Sequence, residues 1–181
     1  MTTHIALVRG INVGTGKRVA MAELRETLES LGYGRVRTLL NSGNVVLDSG
    51  DSQQAVADGV SDALAERLGV SAAVIVRNRD QLIAAMAADP FGQVATDGSK
   101  HFLGFPAATP ASDRVAKIIE LRDHAATAPD QARLIRDHLY LWCPNGISRS
   151  SFSKLNWDKA LGTPVTVRNW NTATKLIELA G

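Results

Sequence analysis

The sequence predicts an α+β protein built from two tandem ferredoxin-like (βαββαβ) repeats with antiparallel sheets, each followed by an extra helix. The first observation behind this is self-similarity at long range, the mark of a duplicated unit. Glu23-Leu24-Arg25 returns as Glu120-Leu121-Arg122, Arg37 of VRTLL is matched by Arg133 of ARLIR, and VIVRN (Val74 to Asn78) returns as VTVRN (Val165 to Asn169). The second is the order of the apolar patterns, strand, helix, strand, strand, helix, strand, which occurs twice.

In the first half, strands are expected at Ile5 to Arg9, Val36 to Leu40, Val45 to Asp48 and Ala73 to Arg77, where apolar residues alternate or run continuously. Met21, Leu24, Leu28 and Leu31 are spaced for one helical face closed by Gly32, and Val56, Val60, Leu64 and Leu68 for another closed by Gly69. The second half offers strands at His101 to Phe105, Ala132 to Arg136, Leu139 to Trp142 and Val165 to Arg168, with helices at Ser112 to Asp123 and Ser153 to Leu161. The extra helices fall at Arg79 to Ala88 and Thr172 to Ala180. Asp89-Pro90 interrupts the pattern, dividing a first domain, 1–89, from a second, 90–181. The strands IALV and AVIV are apolar on both faces, so the first sheet is expected to be covered on both sides.

Composition narrows the function classes. At 45% apolar and 21% charged, the 181 residues suffice for a globular core. The chain has no apolar run near the roughly 20 residues that cross a bilayer, and no basic stretch precedes an apolar one at its start, so a soluble cytoplasmic protein without a membrane partner is expected. A single cysteine, Cys143, excludes internal disulfides, and His4, His101, His124 and His138 lack ligand spacing. Neither a metal nor another cofactor is expected. The net charge of +2 announces no polyanionic partner by itself.

Chain direction decides which loops can meet. In a βαββαβ unit the loop after the first strand and the hairpin between the second and third share one end of the sheet, while the third and fourth strands finish at the other. In the first repeat the shared end holds Arg9 to Lys17 (RGINVGTGK) and Asn41 to Asn44 (NSGN). In the second, the end shared by the third and fourth strands holds Pro144 to Lys154 (PNGISRSSFSK) and Val167 to Thr172 (VRNWNT). Gly-rich loops let backbone amides approach an anion closely, although turn geometry alone also favours such residues. Charge is segregated: residues 9–18, 144–156 and 163–175 hold seven Lys and Arg and no acid, leaving 13 cations against 18 acids elsewhere. Such loops attract phosphate or carboxylate.

Named motifs fit poorly. GINVGTGK misses the phosphate-binding loop by one residue of spacing and carries Arg18 where a Ser or Thr would hold magnesium. Ser151-Phe152-Ser153-Lys154 matches S-x-x-K, but the accompanying K-T-G is absent. Ser153 reads better as an N-cap for the helix after it, and Asn78 and Asn169 as caps of the extra helices. Trp170 is expected to staple the last helix to its sheet. In HLYLW, Leu139 and Leu141 face one way and His138, Tyr140 and Trp142 the other. Exposed, that second set would form a base-stacking surface. Buried, it is core.

The segments IALVRGINVGTGKRVAMAELRETLESLGYGRVRTLLNSGNVVLDS and SFSKLNWDKALGTPVTVRNWNTATKLIEL resemble the bacterial family of domain of unknown function 1697, over nearly the whole chain. The resemblance implies a small cytosolic protein of two ferredoxin-like repeats, and no established activity. It singles out Arg9, Gly10, Asn12, Gly14, Ser42, Gly43, Asn44, Ser153, Lys154, Leu155, Arg168, Asn169, Trp170 and Thr172. Two departures stand out: Gly14-Thr15-Gly16 where the family tends towards adjacent glycines, and Leu39-Leu40 where members often carry an aromatic, a change expected to affect packing only.

The leading expectation is a small anionic ligand, phosphate- or carboxylate-bearing, bound by Arg9, Asn12, Lys17, Ser42 and Asn44 from one repeat and Ser153, Lys154, Arg168 and Asn169 from the other. Three others compete. A nucleic-acid-binding module would add Tyr140 and Trp142 to those cations, and requires Trp142 to be exposed. An enzyme acting on a phosphorylated compound, a transferase or hydrolase, meets the difficulty that the four loops contain no Asp, Glu or His, leaving Lys154 or a serine as base. A purely structural role would have the motif residues lock the two repeats together, with Arg9 and Arg168 donating to buried carbonyls at the seam between them. Catalytic residues and oligomeric state remain unassigned by the sequence.

Overall fold

The structure, a computed structural model, describes residues 1–14, 18–111, 113 and 129–181. Lys17 and nearly all of the helix expected at Ser112 to Asp123 lie outside the described residues. The protein is a mixed α+β fold with two four-stranded antiparallel sheets and, among the described residues, five α-helices. It divides into two compact units, Met1–Ile83 with Leu176–Gly181, and Ala84–Lys175.

The first unit contains strands β1 (Thr2–Val8), β2 (Gly34–Leu39), β3 (Asn44–Ser49) and β4 (Val74–Arg77), with helices α1 (Met21–Ser30) and α2 (Gln53–Leu68). The sheet order is β2-β3-β1-β4, and every neighbouring pair is antiparallel. Both helices share one core with the even-numbered residues of β1, in which Ala6 and Val8 meet Leu24, Leu28, Val56, Val60 and Leu64. The alternate residues Ile5, Leu7, Val46 and Ile75 are also buried, so both faces are covered as the continuous apolar strands predict. In α2 the Ser52 hydroxyl accepts from the Ala55 amide at 3.2 Å and Gly69 ends the helix in the left-handed conformation, φ 64°. Helix α1 stops one residue earlier than its apolar spacing suggests. Leu31 becomes its C-cap and is exposed rather than part of the buried face.

The second unit contains β5 (His101–Pro106), β6 (Gln131–Ile135), β7 (His138–Trp142) and β8 (Val165–Asn169), in the antiparallel order β6-β7-β5-β8. One face of this sheet, with Phe102, Leu139 and Leu141, packs on Phe152 and Leu161. The helix expected from Ser153 is shorter than its sequence suggests. Two 3₁₀ turns, Ile147–Arg149 and Ser151–Lys154, precede α4 (Trp157–Leu161). Leu155 and Asn156 are extended between them, and the Asn156 side chain caps α4 through the Lys159 amide at 3.0 Å. Ser153 is therefore no N-cap of that helix; its hydroxyl donates to the Ser150 carbonyl at 2.8 Å.

The extra helices are α3 (Arg79–Ala87) and α5 (Trp170–Leu179). Asn78 Oδ1 accepts from the Gln81 amide and Asn169 Oδ1 from the Thr172 amide, both at 2.8 Å, so both asparagines are caps. The Gln81 side chain returns a bond to the Asn78 amide, completing a capping box. Within the first unit, the Arg79 Nε donates to the Ile177 carbonyl and ties the start of α3 to the end of α5.

Candidate functional site

At the first unit's loop end, the polar side chains mostly serve the backbone. The register that pairs Leu7 with Asn44 carries the β1 loop directly beside the β2–β3 hairpin, as antiparallel geometry requires. The Val8 amide donates to the Gly43 carbonyl at 2.8 Å and the Arg9 amide to the Ala73 carbonyl at 2.9 Å. Asn12 clasps loop and hairpin: its Nδ2 donates to the carbonyls of Val19 (2.8 Å) and Asn41 (3.0 Å), and its Oδ1 accepts from the Val19 amide (2.7 Å). These bonds hold Asn12 in the left-handed region at φ 57°, a conformation asparagine tolerates. Asn44 is fully buried and its Nδ2 donates to the Leu39 carbonyl and to Ser42 Oγ.

Gly43 is the tightest point. Its φ is 70°, and a Cβ there would lie 2.4 Å from Ile11 Cγ2 and 2.7 Å from Val8 Cβ. Only a residue without a side chain brings the hairpin this close to the β1 loop. What remains on the outside is Arg9, Ser42 and Arg18, all exposed, together with two apolar side chains, Val13 and Leu40. Leu40, expected to be a packing residue, instead stands in solvent. Asn12 and Asn44 thus position the loops, and Arg9 and Ser42 are the candidate residues able to touch a ligand.

The end shared by β7 and β8 forms as chain direction predicts. The Cys143 amide donates to the Lys100 carbonyl and the Trp170 amide to the Gly98 carbonyl, so both strands finish against the segment ahead of β5. Its groups are divided between internal bonds and solvent. Trp170 stacks on His101, centroids 4.1 Å apart and planes 7° apart, and so staples α5 to β5. Arg168 is buried and donates to Thr166 Oγ1 (2.7 Å) and the Val167 carbonyl (2.9 Å); burial pushes its guanidinium down to about 10. Asn169 is committed to its cap and Ser153 to its local bond, while Lys154 and Arg149 are exposed.

The aromatic face of β7 is core. Tyr140 is fully buried, its hydroxyl donating to the Ala85 carbonyl at 2.7 Å, and Trp142 is 9% exposed. The base-stacking surface that an exposed Trp142 would have offered does not form, because these side chains are occupied by α3 and by His101. His101 is also buried, its Nε2 3.1 Å from Asp89 Oδ1. Burial pulls the imidazole below its ordinary value, against the attraction of Asp89. Cys143 is buried and pushed up to about 11, chiefly by burial, which keeps the thiol protonated and unreactive at neutral pH.

A cavity of about 330 Å³ lies at the opposite end of the first sheet, lined among others by Tyr33, Ser49, Asp51, Asp62, Glu66 and Arg67. No motif in the sequence pointed to it. Its three carboxylates make it unsuited to anions. Burial, followed by Asp51, raises the Tyr33 phenol. Among the described residues no group of three or more His, Cys, Asp or Glu is placed to hold a metal ion, and no helix is long and apolar enough to cross a membrane.

Fold and site together define a two-unit α+β protein with a cation-bearing loop end on its first sheet. The chain belongs to the family described as "Protein of unknown function (DUF1697)", whose pattern matches residues 1–140; the motifs at 153–172 lie beyond that match. The chain is similar to the solved structure of the conserved bacterial protein SP0830 from Streptococcus pneumoniae, with a TM-score of 0.76 over 99% of each chain and 22% identity, a likeness of fold. No curated protein matches the chain.

Proposed function

We propose that this is a cytoplasmic protein that binds a small anionic ligand, bearing phosphate or carboxylate, at the loop end of its first unit. The observation that carries the reading is the Asn12–Gly43 clasp. It fixes two acid-free turns side by side and leaves Arg9 and Ser42 at their rim. A preorganised frame of this kind lowers the ordering cost of binding, and an exposed guanidinium offers the fork that phosphate and carboxylate accept. Lys17 extends the same basic loop in sequence. The second unit's Arg168, Asn169 and Ser153 are committed to internal bonds, so the reading narrows to the first unit, although Arg149 and Lys154 are exposed cations of the second.

The same proposal treats the two units as ferredoxin-like repeats from an internal duplication. Supporting it, both sheets run second-third-first-fourth. Arg77 and Arg168 each donate to the carbonyl of the preceding residue, and Asn78 and Asn169 each cap the following helix three residues on. Calorimetric titration at low salt with inorganic phosphate, sugar phosphates, nucleotides and short carboxylates tests the ligand class. Binding that weakens with added salt and at least tenfold with Arg9→Ala is expected. Absence of binding across the panel overturns the reading.

A further inference from the structure

Four non-glycine residues among those described have positive φ, Arg136 and Leu40 both in hairpin turns, and three of the four are polar or charged. Asn12 is held by its own side-chain bonds. Arg35 sits at the irregularity in the β2–β3 pairing, where its guanidinium pairs with Asp48. Arg136 is in the tight turn between β6 and β7. Leu40 is the exception. At φ 58° its Cβ crowds the backbone, its side chain makes no polar bond in return, and it is 57% exposed, so burial does not compensate. Glycine or asparagine would meet the same turn with less strain. Non-glycine residues held in such conformations cluster at functional sites.

Leu40 has a companion. Val13 is 66% exposed, and the Asn12–Asn41 bond of 3.0 Å joins the residues beside each of them. The two most exposed large apolar side chains after Met1 among the described residues thus flank one hydrogen bond, at the same end as Arg9 and Arg18 and within a stretch free of acids. A bare phosphate would use the cations and leave both apolar groups in water.

Resting on the anion-binding reading, we infer that the ligand is an amphiphile: a phosphate or carboxylate bearing a short apolar group that lies across Val13 and Leu40 while Arg9 takes the charge. The test is calorimetric titration of the whole chain with methyl, butyl and hexyl phosphate, all below their micelle concentrations, alongside phosphatidylglycerol vesicles. Affinity is expected to rise with chain length, up to about fourfold per methylene, the limit set by full burial. In the double variant V13S/L40N, whose asparagine accepts positive φ, the hexyl-to-methyl affinity ratio is expected to collapse towards one. Arg9→Ala should weaken every member. Phosphate binding with no dependence on chain length overturns this inference and leaves the anion reading intact, whereas no binding at all overturns both. Capture by vesicles without binding of hexyl phosphate also overturns it, in favour of a lipid surface. An unaltered ratio in the double variant moves the apolar contact away from these residues and overturns the assignment.

Discussion

The two sheets share a strand order but use their cation-bearing ends in opposite ways. In the first unit, asparagine side chains and a glycine hold the backbone together while Arg9, Val13 and Leu40 face solvent. In the second, Arg168 is buried beside Thr166 and Trp170 stacks on His101, while Arg149 and Lys154 stay exposed without such a frame of asparagine side chains. A basic, Gly- or Ser-rich motif can thus either build a frame that presents charge or be absorbed into packing.

The sharpest way to break the comparison is at the glycines. Gly43→Ala should cost about 3 kcal/mol, because the new Cβ meets Ile11 and Val8 in a left-handed conformation. Gly162→Ala in the second unit, at the left-handed C-cap of α4 (φ 72°, ψ 15°), should cost only about 1 kcal/mol. Urea denaturation of both variants measures the difference, and equal losses would remove the claim that Gly43 is a close-approach residue.

The asparagines come next. Asn12→Ala loses three hydrogen bonds and a tolerated left-handed residue, for about 2 kcal/mol; Asn169→Ala loses a helix cap, for about 1 kcal/mol. Asn12→Gly, which accepts the φ but not the bonds, should fall between wild type and Asn12→Ala.

The second unit is also expected to carry a pH dependence that the first end lacks. His101 has its folded-state value below the ordinary 6.5, so the unfolded chain binds a proton more readily. The stability associated with the neutral imidazole is present above about pH 6.5 and is lost as pH falls through that value towards the depressed one. Melting temperatures between pH 8 and 5 measure this, and His101→Phe, which preserves an aromatic partner for Trp170, should flatten the fall. Smallest in stability is Arg9→Ala, expected within about 0.5 kcal/mol of wild type. A large loss there would return Arg9 to the structural role that Arg168 occupies.

Much of this was legible from residue order. All eight strands lie within three residues of where alternation places them, because side-chain period is a local property. The caps at Asn78 and Asn169 could be read from the amide ahead of a helical pattern, and the burial of β7's aromatics was one of two open readings. The fate of Ser153 was not, because Asn156 is a competing cap three residues on, and two 3₁₀ turns take the place of the helix's expected first turn. Leu31 and Leu40 were misplaced for a related reason: an apolar residue at a helix end or a turn follows the backbone's exit direction, which periodicity does not encode. The acid-lined cavity around Tyr33 left no sequence signal, since its residues come from three separate segments.

The sequence by itself determined the strand and helix order, the pairing of loop with hairpin, and the segregation of cations, since each follows from local period, chain direction or a count of charges. Only the tertiary structure decided which of those cations meet water. That choice depends on desolvation and on competing hydrogen bonds among distant segments, as the buried Arg168 and the exposed Arg9 illustrate.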